Sequence, residues 1–215
     1  TPLRYPPPMP SFRHEISLGR KSGAVICGVD EVGRGPLAGP VLACAAILPL
    51  EGVSTRLLGA LDDSKRLSAE AREAVAIQLR VKAIFAIAEA SVEEIDRVNI
   101  LQATFLAMRR AVAALPVQPA HALIDGNKRA GLACPETPIV EGDHLSYSIA
   151  AASILAKVAR DKMMRELHLD HPRYGWERNA GYGTREHLAA IEAYGLTPHH
   201  RTSFRPVYEQ LTLID

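Results

Sequence analysis

Ala24-Val25-Ile26-Cys27-Gly28-Val29-Asp30-Glu31-Val32-Gly33-Arg34-Gly35-Pro36 is the stretch on which the fold turns. Its first seven residues are short, apolar and β-branched, which suits a buried strand. The glycine-rich turn from Gly33 stops it, and a second apolar run, Gly39 to Leu48, follows closely enough to pair as a hairpin. Working outward, Leu61 to Leu67 is polar and charged and reads as a loop. Ser68 is a helix N-cap, with Ala71, Ala74, Val75 and Leu79 on one face of the helix that follows. Ala83 to Ala90 reads as a third strand. Ser91 and Glu94 then form a capping box, and Ile100 to Leu115 makes a long helix with Leu101, Phe105, Met108 and Val112 on its buried stripe. Short strands follow at His121 to Asp125 and Thr137 to Gly142, and an alanine-rich helix runs from Ser146 to Glu166. Past His168 the chain is polar, with one more helix near Thr184 to Tyr194 stopped by Gly195. The order β-β-α-β-α-β-β-α predicts a single mixed α/β sheet with helices on its faces and a helical tail.

The 215 residues suit one domain with a small appendage. The expected division is an irregular proline-rich arm over 1–21, a catalytic domain over 22–167 and a helical extension over 168–215. Hydrophobic residues are 47% and charged residues 23%, which excludes a disordered chain. Lys and Arg total 25 against 24 Asp and Glu, so a bulk polycation is excluded, while a local basic groove is not. Cys27, Cys44 and Cys134 are scattered and offer neither a disulfide framework nor a zinc site. No run approaches the ~18 apolar residues of a membrane span, and prolines interrupt the N-terminus where a secretory signal would need an apolar core. A soluble, cytoplasmic protein without a membrane partner is expected.

Asp30, Glu31, Asp125 and Asp143 each follow an apolar run and precede turn chemistry. In an open α/β sheet ligands collect at strand ends, so these acids can converge on one point. Converging carboxylates repel and call for a cation, and oxygen-only ligands suit Mg²⁺ or Mn²⁺. Two such ions can serve phosphodiester cleavage. Taken singly, each acid reads first as an ordinary turn residue, and the adjacency of Asp30 and Glu31 is what speaks for a site. In a regular strand Asp30 and Glu31 point to opposite faces, so a shared site predicts that the strand breaks there, with Gly33 and Gly35 supplying the freedom. Gly33 to Gly39 is spaced GxGxxxG, and no Gly-Lys-Ser/Thr follows, so neither the dinucleotide nor the phosphate-loop signature is met.

Gly28-Val29-Asp30-Glu31-Val32-Gly33-Arg34-Gly35-Pro36-Leu37-Ala38-Gly39-Pro40 resembles the opening motif of ribonuclease HII, the type 2 ribonuclease H. The resemblance recurs at Asp63 to Ser68, Asn99 to Thr104, Ile124 to Asn127, Gly142-Asp143, Ile149 to Asp161, Gly181 to Thr184 and His200 to Phe204. It implies a ribonuclease H-like mixed five-stranded sheet and a metal-dependent endoribonuclease. Such an enzyme cuts the RNA strand of RNA–DNA hybrids and nicks duplex DNA 5′ of a single embedded ribonucleotide, leaving 3′-hydroxyl and 5′-phosphate ends. It also implies that Asp30, Glu31, Asp125 and Asp143 hold two Mn²⁺ or Mg²⁺ ions, that Gly33-Arg34-Gly35 senses the ribose 2′-hydroxyl, and that Tyr182 stacks on the adjoining deoxyribose. By the same analogy the enzyme is a monomer.

Lys65, Asn127, Lys128, Ser153 and Lys157 are candidate phosphate contacts, which would position a duplex without reading its sequence. Lys157 has an alternative partner in Asp161 at i,i+4, and Ser153 could equally be a small packing residue. Seven cations of the C-terminal third, Arg201 among them, read as a solvated helical face or a duplex footprint. His168, His171, His199 and His200 lack zinc-site spacing and read as structural. Gln210-Leu211-Thr212-Leu213-Ile214 reads as the end of a helix, and also resembles the short peptide by which replication proteins dock on a bacterial sliding clamp. The competing readings are another nuclease of the same broad fold and a duplex-binding module without catalysis.

Overall fold

The computed structural model describes residues 9–62 and 67–207. Five strands, β1 (Ile26–Val32), β2 (Val41–Ile47), β3 (Ile84–Ala90), β4 (His121–Asp125) and β5 (Glu136–Ile139), form one sheet in the order β3-β2-β1-β4-β5. The β1–β2 and β2–β3 pairs are antiparallel, whereas β1–β4 and β4–β5 are parallel. This is the mixed five-stranded sheet flanked by helices that the sequence predicts.

Every residue of β2 is buried, because helices cover both faces of the sheet. On one face lie α4 (Val92–Val98) and α5 (Ile100–Ala113), with Ile95, Ala103, Ala107 and Ala111 packed against Cys27, Val29, Ala43 and Ala45. The capping box is formed as expected, Ser91 and Glu94 satisfying each other's backbone amides. Met108 and Val112 of the expected α5 stripe are buried, and the rest of the buried face is shifted from Leu101 and Phe105 to Ala103, Thr104, Ala107 and Ala111. Alanines face the sheet so that the backbones can approach, and Leu101 and Phe105 stand at the margin. On the other face lie α2 (Thr55–Asp62), α3 (Ala69–Lys82) and α6 (Tyr147–Asp170), packed on Cys44, Ala46 and Leu48. Ser68 caps α3, although Ala76 takes the buried place expected of Ala74, which is exposed. α6 crosses β1 so closely that a Cβ on Gly28 would lie 2.2 Å from the Ile149 amide nitrogen, so only glycine fits there.

Three further departures from expectation concern the course of the backbone. The arm is not irregular throughout: Arg13–Ser17 forms α1, whose buried Glu15 accepts hydrogen bonds from the Ser146 hydroxyl (2.7 Å) and the Ser148 amide (3.1 Å) at the head of α6. Two free donors at a helix start outweigh the local tendency of the arm. Thr55–Asp62 is helical with no sequence signal recognised for it, its Leu57 and Leu61 buried against the α6 side of the core. β5 ends at Ile139 rather than near Gly142, because Glu141 takes a left-handed conformation (φ 55°) and Gly142–His144 winds into a 3-10 turn. Beyond α6, α7 (Trp176–Asn179) and α8 (Arg185–Tyr194) pack around Trp176, and Thr184 and Gly195 bound α8 as the sequence predicts.

Candidate active site

The strand does not break at the paired acids. β1 stays in register with β2 through Asp30↔Cys44, Glu31↔Ala43 and Val32↔Leu42. The two side chains therefore do point to opposite faces. What lets them share a site is the parallel neighbour: its ladder with β1 ends at Val29↔Ile124, and β4 itself stops at Asp125. Asp125 thus stands at the open end of the sheet, next to Asp30 on the α6 side and Glu31 on the α5 side. On the α6 side the Ser153 hydroxyl faces Asp30 and favours its ionised form. On the α5 side a cleft of about 280 Å³ is lined by Glu31, Asp125, Arg34, Asn127 and Lys128, over a floor containing Leu101, Phe105 and Met108.

The electrostatics record this convergence. Burial, then Glu31, then Asp125 push the Asp30 carboxyl well above the ordinary carboxylate range, against the Ser153 hydroxyl and the Glu31 amide (2.8 Å), which favour its ionised form. Burial also raises Glu31, with Asp125 adding to it, while the Arg34 guanidinium at 3.3 Å pulls it down. Asp125 Oδ1 accepts the Gly142 amide at 2.6 Å. That bond fixes the 3-10 turn carrying Asp143, which is itself buried, with Oδ1 3.9 Å from His144 Nε2. Asp30, Glu31 and Asp125 therefore interact directly, and Asp143 is tied to them through one backbone bond. Among the described residues no three His, Cys, Asp or Glu side chains form a ready-made metal cage. The donors are all carboxylate oxygens that raise one another's proton affinity, a set that fits a hard divalent cation and not zinc.

Two loops border the acids. Gly33-Arg34-Gly35 leaves β1 with Gly33 at φ 90°. Tyr182, 46% exposed, lies over Gly35, its Cε1 3.4 Å from where a Gly35 Cβ would be. The loops are joined by the Leu37 amide donating to the Gly181 carbonyl at 2.8 Å. Of the remaining candidates, Asn127 and Lys128 line the cleft, Ser153 serves Asp30, and Lys157 is paired with Asp161 at 2.7 Å. Lys65 and Gln210 to Ile214 lie outside the described residues.

The support beneath these loops comes from two residues outside the expected site. Arg201, read as a surface cation, is fully buried, as is Arg160 of α6, and both donate to loop carbonyls. One signal was available for Arg160: Ala152, Ala156 and Met164 share its i,i+4 row and are all buried, so a cation in that row must have interior partners. His171, His199 and His200 have the structural place expected of them, with rings 5.2–5.9 Å from Trp176 or from one another.

The chain is similar to known proteins. The family model described as Ribonuclease HII matches residues 27–209. A ribonuclease HII from Paramagnetospirillum magneticum is 57% identical over 197 residues, covering 92% of this chain and 98% of the relative. Among solved structures, Bst ribonuclease HIII in complex with Mn²⁺ superposes with a TM-score of 0.72 at 18% identity, covering 88% of this chain and 70% of that one. The ribonuclease HII in a PCNA complex from Archaeoglobus fulgidus gives a TM-score of 0.65 at 21% identity, covering 84% and 95%. These two likenesses speak for the ribonuclease H-like fold. With the family model spanning the sheet, the acids and both loops, the chain belongs to the ribonuclease HII family and is a hydrolase of the RNA strand in RNA–DNA hybrids.

Proposed function

We propose that the enzyme also nicks duplex DNA on the 5′ side of a single embedded ribonucleotide, leaving 3′-hydroxyl and 5′-phosphate ends, and that Asp30, Glu31, Asp125 and Asp143 are its catalytic acids. The observation that carries this reading is the adjacency of three mutually interacting carboxylates to a turn, Gly33-Arg34-Gly35, that Tyr182 overlies. Members of this family depend on divalent metal, and the four acids are the residues that would hold it, as two Mg²⁺ or Mn²⁺ ions. When bound, such ions supply Lewis acidity to the attacking water and to the departing 3′-oxygen.

The chain's own residues do the rest. The Glu31 amide holds the Asp30 carboxylate in one orientation, with the Ser153 hydroxyl favouring its ionised form, and the Gly142 amide holds Asp125. Arg34 pairs with Glu31 at 3.3 Å, which favours the ionised form against the effect of burial, and brings a cation to the mouth of the cleft. A turn with glycines at positions 33 and 35 lets backbone approach a ribose closely enough to hydrogen-bond its 2′-hydroxyl, the group that separates RNA from DNA. Tyr182 offers a ring face to the neighbouring sugar. Asn127, Lys128, Lys157 and Lys65 are assigned to backbone phosphates, which fix the register of the duplex. We take the working form to be a cytoplasmic monomer.

The test is one end-labelled DNA duplex with a single ribonucleotide, incubated with Mg²⁺, Mn²⁺ or chelator. A single nick 5′ of the ribonucleotide, abolished by chelator, is expected, whereas an uncut duplex rejects the reading. Docking of Gln210 to Ile214 on a sliding clamp is proposed from the tail sequence and in keeping with the Archaeoglobus complex. Titrating clamp against a chain lacking 209–215 should show lost affinity, and unchanged affinity rejects it.

A further inference from the structure

Arg160 is a fully buried cation, and among the described residues it forms no ion pair. Its guanidinium spends its donors on backbone. Nε donates to the Pro40 carbonyl (3.2 Å) and Nη2 to Ala38 (3.0 Å), both in the loop that carries Gly33-Arg34-Gly35. Nη1 donates to the Ala180 carbonyl (2.9 Å), at the base of the loop that carries Tyr182. One planar fork thus bridges the two loops. Its reach is fixed by the rigid guanidinium geometry, which a lysine cannot copy.

The other end of the same helix serves the acids. Ser153, whose hydroxyl meets Asp30, precedes Arg160 by seven residues, two turns or about 10 Å along one face of α6. α6 is seated against β1 at Gly28, with no room there even for a Cβ. The helix therefore sets the distance from the carboxylates to both sugar-contacting loops. A second cation reinforces it: Arg201 donates to the carbonyls of Gly33 (2.6 Å), Arg34 (3.0 Å) and Gly39 (2.9 Å). Arg201 is aimed by Asp96 of α4, which accepts the Thr202 and Ser203 amides and hydroxyls at 2.6–3.0 Å. With its carbonyls engaged from beneath, the Gly33 to Pro40 loop is held to one shape.

We propose that Arg160 is a positioning residue for ribose selection, bracing the Gly33-Arg34-Gly35 turn and the Tyr182 loop at a fixed separation from the acids. This rests on the assignment of those two loops to the sugars. Arg160→Lys keeps the charge and loses the fork. Gly181→Ala reaches the same gap without touching the arginine, because its Cβ would lie 2.6 Å from the Ala38 carbonyl and Gly181 sits at φ 83°.

The experiment compares both variants with the parent enzyme on two substrates, a DNA duplex with one ribonucleotide and a continuous RNA–DNA hybrid, with folding followed by circular dichroism. In the hybrid many riboses can be tried in turn, whereas the single ribonucleotide offers one register. Each variant should lose about tenfold more kcat/KM on the single ribonucleotide than on the hybrid, with the deficit in kcat. Equal losses on the two substrates, or none, overturn the proposal. Amide hydrogen exchange without substrate keeps it testable by itself. Arg160→Lys should speed exchange at Gly33 to Ala38 and at Gly181 to Gly183 together, and unchanged exchange there overturns the brace. A parent enzyme that cuts hybrids but never the single ribonucleotide would instead overturn the nicking activity proposed above, while the exchange data still decide the brace.

Discussion

The carboxylate end of the sheet and the arginine layer beneath the loops both gather like charges, and they resolve the problem in opposite ways. Asp30, Glu31 and Asp125 raise one another's proton affinity and face a cleft. Arg160 and Arg201 also repel, and burial followed by the Arg160 charge pulls Arg201 down to about 9, yet every one of their donations described above ends on a carbonyl. A buried cation that is fully hydrogen-bonded makes structure, whereas crowded anions at an open edge hold an electrostatic demand that a divalent ion can meet. Charge at a site is therefore a poor guide to role until its hydrogen bonds have been traced.

Substitutions in the two regions should fail differently. Asp30→Asn or Asp125→Asn should lower cleavage by at least about a thousandfold while leaving duplex affinity nearly intact, as measured by nicking assay and gel shift. A variant with full turnover would show that the acid holds no metal. Arg201→Met should instead act on the fold. Stranding three carbonyls that accepted from a charged donor costs about 3 kcal/mol, a fall of roughly 10 °C in Tm by calorimetry.

A similar magnitude is expected from pH, through the histidines that flank the Arg201 segment. His187 donates from Nδ1 to the Tyr182 carbonyl (2.9 Å), and its Nε2 meets Trp176 Nε1 and His200 Nε2, each at 3.1 Å. The Thr197 amide donates to His200 Nδ1 at 2.9 Å, so this chain of bonds closes only with both rings neutral. Burial, then His187, pull His200 down from 6.5 to about 4, and burial lowers His187 as well. Below pH 6.5 the unfolded chain takes up protons that the fold refuses, so stability should drop as pH falls toward 4, by on the order of 3 kcal/mol. Denaturant titrations across that range should show a shallower slope for His200→Asn. The smallest effect sharpens the acid side. Mn²⁺ at ten times its Kd should raise Tm by a few degrees, about 1.4 kcal/mol by linkage, and less in Asp125→Asn.

Much of this was legible in the sequence where the cause is local. The strands, the capping box at Ser91 and Glu94, the Ser68 and Thr184 caps and the glycine stop at Gly195 are decided by near neighbours. The acids could be grouped because each ends an apolar run, but the manner of their meeting could not. Asp30 and Glu31 converge because β4 stops beside them, a fact written about 95 residues downstream. The arginines were hidden for the same reason: Arg201 is buried by carbonyls 162 to 168 residues away. Glu15 finds its partners 131 and 133 residues on. Periodicity reports which face of an element is apolar and says nothing about what a distant polar group will need.

The most direct measurement is anomalous diffraction at the manganese edge from crystals equilibrated with Mn²⁺. The expected result is density bonded to carboxylate oxygens of Asp30 and Asp125, with Glu31 and Asp143 completing the surroundings. Manganese bound elsewhere, with these four acids left apart, would contradict the assignment of the catalytic centre.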